Sequence, residues 1–84
     1  MTGIGHSIAA NKVKGAYAAL AYTKEAAQLS RQHNDANILV LGSKFVDDKT
    51  MLEIIDIWLN TAFEGGRHQR RIDQIKDIER ITMR

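Results

Sequence analysis

The segment Asn37-Ile-Leu-Val-Leu-Gly42 limits the folds open to this chain more than any other stretch. It is a short, unbroken apolar run with β-branched residues, closed by a glycine. Polar residues crowd both ends, His33-Asn34-Asp35 before it and Ser43-Lys44 after it. An apolar run of strand length without polar alternation reads as a strand covered on both faces, and hence as a parallel strand inside an α/β layer. Ligands of open α/β sheets bind beyond the carboxyl ends of the strands. Lys44 therefore lies on the side where a site is expected.

The remaining elements follow from capping residues and periodicity. Thr2-Gly3-Ile4-Gly5 reads as a loop feeding a helix that includes Ile8 to Val13 and stops at Gly15. Backbone N–H groups at such a loop point outward and attract anions. Ala16–Tyr22 is a second apolar run and a second strand. Thr23 can cap a helix from Lys24 to about Gln32, with Ala26, Ala27, Leu29 and Ser30 on its inner face. Asp47 or Asp48 can cap a long helix. In it Met51, Leu52, Ile54, Ile55, Trp58, Leu59, Ala62 and Phe63 fall at amphipathic spacing. Gly65-Gly66 breaks the pattern. A last helix runs from about Arg67 to Ile81, with Ile72, Ile75, Ile78 and Ile81 as a narrow stripe. The order predicts an α/β fold with a parallel sheet and right-handed crossovers. Two strands make a poor sheet, so the chain reads as half of a doubly wound domain.

At 84 residues there is room for a single domain. The chain has no cysteine, so disulfide and thiolate chemistry are excluded, and a cytoplasmic location fits. No apolar run approaches the roughly 20 residues of a membrane span, and no signal peptide is recognisable. The net charge of +2 is uneven. Residues 67–84 hold Arg67, Arg70, Arg71, Lys76, Arg80 and Arg84 against Asp73, Asp77 and Glu79. Such a helix suits a phosphate-bearing partner, either a small molecule or a nucleic acid, and equally suits a solvated surface. No aromatic residues interleave the basic ones, which speaks against nucleic acid.

Arg67 and Arg71 stand at i and i+4 and share one helix face, forming a bidentate phosphate clamp, while Arg70 is expected to point to the side. Guanidiniums at a helix start oppose the macrodipole, which argues for an anion between them. His33-Asn34 can be presented by the loop before the central strand, and histidine is the usual proton mover near neutral pH. His6, His33 and His68 lack close helical spacing and cysteine partners, so neither a metal nor another cofactor is expected. No nucleophile elbow, Walker loop or full dinucleotide fingerprint is present.

Five segments together resemble the ribose-5-phosphate isomerase B family, which also holds the galactose-6-phosphate isomerase subunits. They are Thr2-Gly-Ile-Gly, Ser7-Ile-Ala-Ala-Asn-Lys-Val13, Ser30-Arg-Gln-His-Asn-Asp-Ala-Asn37, Val40-Leu-Gly-Ser43 and Phe63-Glu-Gly-Gly-Arg-His-Gln-Arg-Arg71. The resemblance covers nearly the whole chain but only the C-terminal part of the family's domain. It implies a Rossmann-like fold that dimerises, with sites built from both subunits. It also implies aldose–ketose interconversion of a sugar phosphate through an enediolate. Carried over by position, Thr2 and the Gly3–Gly5 amides cradle the enediolate. His33 assists ring opening and Asn34 holds sugar hydroxyls. Arg67 and Arg71 grip the phosphate, with Lys44 where the family commonly has arginine.

The departures are chemical. The family motif continues upstream as Cys-Gly-Thr-Gly-Ile-Gly, and its cysteine is the base in many members. Here Met1 takes the glycine position. Other members place a carboxylate base where this chain has His6, which is thereby a candidate base. The family's first three strands, with an Asp-His pair that contacts the sugar, have no counterpart, and a truncated form is expected. The strand at 16–22 would then show a bare edge of about half a dozen unpaired backbone groups. Each such buried group costs about 1–3 kcal/mol, so a homodimer or higher homo-oligomer is expected, through antiparallel pairing of these edges or through helices.

Overall fold

The computed structural model describes residues 1–83; Arg84, counted among the basic residues above, lies outside them. The chain is α/β, in the order α1 (Ile4–Ala10), β1 (Ala18–Leu20), α2 (Lys24–Gln32), β2 (Ile38–Val40), α3 (Asp48–Leu59) and α4 (Arg67–Thr82). The two strands pair in parallel, with Ala18 opposite Ile38 and Leu20 opposite Val40. Ala21, Ala27, Val46 and Ile54 form the core, and Tyr22, Leu39, Met51, Ile57 and Trp58 pack against it. The small inner face of α2 lets it lie close on the strands, since Ala27 is fully enclosed.

Side-chain caps set the middle helices. The Thr23 hydroxyl accepts from the Ala26 N–H at 3.0 Å. Asp47, rather than Asp48, caps α3, its carboxylate accepting from the Thr50 N–H at 2.7 Å. That bond holds the Asp47 carboxyl below its ordinary pKa. α3 ends at Leu59, short of Phe63, because Asn60 takes up its last carbonyls. α1 begins at Ile4, earlier than its apolar residues suggest. Gly3 at φ 84° serves as the N-cap, and the Thr2 hydroxyl accepts from the Ile4 N–H at 3.2 Å. Ile4 and Ile8 are consequently exposed.

The central strand is not covered on both faces. Each strand keeps three residues, Ile38 is exposed, and the others are half-buried. A two-stranded sheet makes an edge of each strand, and an edge cannot be fully enclosed by one layer of helices.

The open edge of β1 is also shorter than expected. The Asn11 amide acts as a piece of strand beside it, donating to the Ala18 carbonyl at 3.0 Å and accepting from the Ala18 N–H at 2.8 Å. On the opposite side, which faces β2, Asn37 serves the preceding residues, accepting from the Tyr17 N–H and donating to the Gly15 carbonyl, both at 2.8 Å. Backbone groups along a parallel strand alternate between its two sides. Within β1 this leaves Leu20 to face the open side.

α4 buries Ile72 but exposes Ile75, Ile78 and Ile81. Its far end is tethered by Glu79, whose carboxylate accepts from the Gly15 N–H at 2.7 Å and from the Tyr17 hydroxyl at 2.9 Å. The Gly15 bond first, and the Tyr17 bond second, hold the Glu79 carboxyl below its ordinary pKa. A carboxyl depressed in the folded state stabilises above its unfolded pKa, about 4.3 for Glu. That contribution fades as pH falls through the lower folded value. Urea midpoints measured from pH 6 to pH 3 should therefore fall more steeply for the parent chain than for Glu79→Gln. Parallel curves would show that the tether contributes nothing.

Candidate functional site

The chain reverses twice to bring α4 against the end of α2. After α2, His33 closes the helix with its N–H on the Leu29 carbonyl at 2.8 Å, and Asp35 at φ 49° turns the chain into β2. Gly65 and Gly66, at φ 69° and 55°, turn the chain into α4. The Glu64 N–H donates to the Gln32 carbonyl at 3.1 Å and fixes this second turn beside the first. Arg31 braces both. Its Nε donates to the Thr61 carbonyl at 3.1 Å, another guanidinium nitrogen donates to the Ala36 carbonyl, and the group lies 4.6 Å from the Trp58 ring centre.

The result is an open depression of about 850 Å³ lined by His33, Asn34, Arg67, His68, Arg70, Arg71 and Gln74. Arg67, Arg70, Arg71 and Gln74 occupy i, i+3, i+4 and i+7 of α4, so they form one face. Arg70 thus lines the depression with Arg67 and Arg71 instead of pointing to the side. The His68 ring stacks on His33 with centroids 4.0 Å apart and planes 18° apart. His33 Nε2 lies 3.7 Å from a Glu64 carboxylate oxygen. Desolvation pulls the His68 pKa below its ordinary value, with the charges of His33 and Arg67 adding to the shift and Glu64 opposing it. Three guanidiniums beside a histidine held toward its neutral form can bind an oxyanion and still offer an uncharged imidazole next to it.

The other expected residues gather elsewhere. Thr2, Gly3, Gly5 and His6 line a second, smaller depression of about 370 Å³ together with Met1 and Ala9. The Thr2 carbonyl accepts from the Tyr22 hydroxyl at 2.8 Å, and His6 is exposed on the first turn of α1. Lys44 belongs to this end of the molecule. Its N–H donates to the Met1 carbonyl at 3.0 Å, and it lines neither depression. Within one chain it therefore stands apart from the arginines it was expected to help. Lys44 thus lies at the end of β2 with the N-terminal residues and not with the arginines.

His68, Glu64 and Gln74 were not anticipated. The helical spacing that groups Arg67 with Arg71 also reaches Arg70 and Gln74, so that signal was present. No sequence pattern pairs His68 with His33. The expectation of no metal rested on helical spacing and missing cysteines, whereas the two turns bring His33 and His68 together without either. Among the described residues no helix is long and apolar enough to cross a membrane.

The ribose/galactose isomerase family model matches residues 1–75. Probable ribose-5-phosphate isomerase B of Mycoplasma genitalium is 53% identical over 81 residues, which cover 96% of this chain and 53% of the relative. Ribose-5-phosphate isomerase B of Escherichia coli is 50% identical, with 93% of this chain and 52% of the relative covered. The crystal structure of the Mycoplasma genitalium enzyme with bound ribulose-5-phosphate superposes with a TM-score of 0.93 at 53% identity, across 96% of this chain and 53% of that one. The enzyme from Clostridium thermocellum gives 0.93 at 50% identity, across 95% and 54%. The chain spans about half the length of the curated relatives it matches, and its parallel strands and helices are those of a Rossmann-like fold. Sequence and backbone agree over nearly all of these 84 residues, and the chain belongs to the ribose/galactose isomerase family.

Proposed function

We propose that this chain binds a sugar phosphate and takes part in its aldose–ketose isomerisation, ribose 5-phosphate to ribulose 5-phosphate. The observation that carries this reading is the single depression in which Arg67 and Arg71 stand beside His33 and Asn34. The arginines fork onto the phosphate, which planar guanidinium donors suit better than lysine. Asn34 holds sugar hydroxyls, and His33 moves the ring proton as the sugar opens. Thr2 and the Gly3–Gly5 amides receive the oxygen on which enediolate charge develops.

These two groups of residues line separate depressions of one chain. A homodimer that sets the arginine depression of one chain against the Thr2 depression of its partner unites them. Lys44, at the Thr2 end, then reaches the phosphate held by the partner's clamp. The exposed stripe Ile75, Ile78 and Ile81 supplies apolar surface for such an assembly.

A positioned general base contributes roughly 10²–10⁴-fold. This chain offers no cysteine, and His6 is the candidate base in the Thr2 depression. Turnover by the chain alone is accordingly weak, well below the ~1–10³ s⁻¹ of ordinary enzymes. The test is conversion of ribose 5-phosphate measured across a range of protein concentrations, with sedimentation of the same samples. Slow turnover per chain that rises as dimer forms is expected, with further loss in His33→Ala. Turnover at ordinary rates from a monomer, or no interaction with the sugar phosphate at any concentration, would overturn the reading.

A further inference from the structure

We propose that His33, Glu64 and His68 form a binding site for a divalent transition-metal ion of the zinc class. Each offers one ligand atom, two imidazole nitrogens and one carboxylate oxygen, and the three atoms lie within 4.8 Å of one another. Zinc binds nitrogen at about 2.0–2.1 Å and carboxylate oxygen at about 2.0–2.2 Å. Tetrahedral donors at those lengths stand roughly 3.4 Å apart. Reaching that spacing takes side-chain rotation, for which the exposed Glu64 and the half-buried His33 and His68 have room.

The backbone already holds the three positions. Glu64 is fixed by its N–H on the Gln32 carbonyl, one residue before His33. His68 is fixed at the start of α4 by its N–H on the Gly65 carbonyl at 3.0 Å. The two rings stack with centroids 4.0 Å apart and planes 18° apart, so one imidazole must turn about its own torsions before both in-plane nitrogen lone pairs face an ion. The 3.7 Å between His33 and Glu64 is too long for a good hydrogen bond, so that pair does not satisfy itself. Two histidines and one carboxylate are the donor set of zinc sites that leave a fourth position open.

Arg67 and Arg71 flank the cluster and repel cations. That repulsion weighs most against Mg²⁺ and Ca²⁺, which rely on charge and oxygen ligands. It weighs less against ions that bond covalently to imidazole. The site therefore selects Zn²⁺, Co²⁺, Ni²⁺ or Cu²⁺ over the alkaline-earth ions.

The full chain is titrated with ZnCl₂ by calorimetry in buffer free of phosphate and chelator, and with CoCl₂ by visible absorption. One saturable site per chain and a Co²⁺ d–d band are expected. Glu64→Gln and His68→Ala should each weaken binding at least about tenfold, with circular dichroism unchanged. His6→Ala should bind as the parent does, and a tenfold excess of Mg²⁺ should not displace the metal. Failure to saturate, binding that survives both Glu64→Gln and His68→Ala, or binding lost in His6→Ala overturns the proposal.

Discussion

Replacing Arg67 or Arg71 with alanine should weaken ribose 5-phosphate binding about 10- to 150-fold for each arginine. The range follows from about 1.5–3 kcal/mol for a hydrogen bond to a charged group, at 1.4 kcal/mol per factor of ten. Both side chains stand on the α4 face that lines the depression. Lysine at either position should recover little, because a point charge cannot fork onto a phosphate. Arg80→Ala is the control on the same helix. Arg80 is ion-paired with Asp77 and lies outside the depression, so its loss should change affinity less than twofold. Calorimetric titration decides the matter, and affinities within threefold of the parent for both Arg67→Ala and Arg71→Ala would remove the clamp from the site. The same variants separate a sugar phosphate from a nucleic acid. Binding of RNA or DNA with a log–log salt slope near −0.9 per phosphate contacted, without ribose 5-phosphate binding, would assign the basic face to nucleic acid instead.

The shared face of Arg67 and Arg71 was legible in the sequence because it is local. Residues three and four apart on a helix must share a face, and Arg67 and Arg71 needed only that rule. The caps Thr23 and Asp47 were legible for the same reason, since a side chain that bonds three residues ahead leaves a short-range signature. The features that escaped depend on parts of the chain far apart in sequence. Asn11 covering Ala18 looks like any polar residue after a helix until the strand comes alongside it. His68 on His33 needs the Gly65-Gly66 turn, whose dihedral angles no apolar pattern encodes. The start of α1 at Ile4 escaped because it runs against the apolar pattern. Ile4 and Ile8 are exposed, and the helix is begun instead by Gly3 in the left-handed region.

Gly42→Ala should destabilise the chain by at least about 3 kcal/mol, the upper part of the range for overpacking. Thr2 and Gly3 cross the carboxyl end of β2 at a distance only glycine permits. A Cβ on Gly42 would stand 2.2 Å from the Thr2 carbonyl oxygen and 2.7 Å from the Tyr22 ring. From the other side, a Cβ on Gly3 would meet the Leu41 carbonyl oxygen at 2.7 Å and a Leu20 methyl at 2.8 Å. The Thr2 carbonyl oxygen cannot yield without breaking its surroundings. The Thr2 carbonyl accepts from the Tyr22 hydroxyl, and the Met1 carbonyl accepts from the Lys44 N–H two residues after Gly42. The Met1 amino group also donates to the Ser43 hydroxyl at 2.8 Å. Relief of the clash therefore costs these bonds and moves Thr2 and Gly3 out of the second depression. Small domains hold about 5–15 kcal/mol in total, so a loss of this size should lower Tm by some 12–24 °C at about 4–8 °C per kcal/mol. Gly5→Ala is the matched comparison. A Cβ there meets nothing within 4 Å and the position has no positive φ, so alanine should leave Tm unchanged or raise it. Thermal melts of the two variants decide between a close-packed crossing and a loose one. If Gly42→Ala melts within about 3 °C of the parent, less than 1 kcal/mol at that scaling, the N-terminal segment does not lie against the end of β2, and the depression that holds Thr2 and His6 loses its floor.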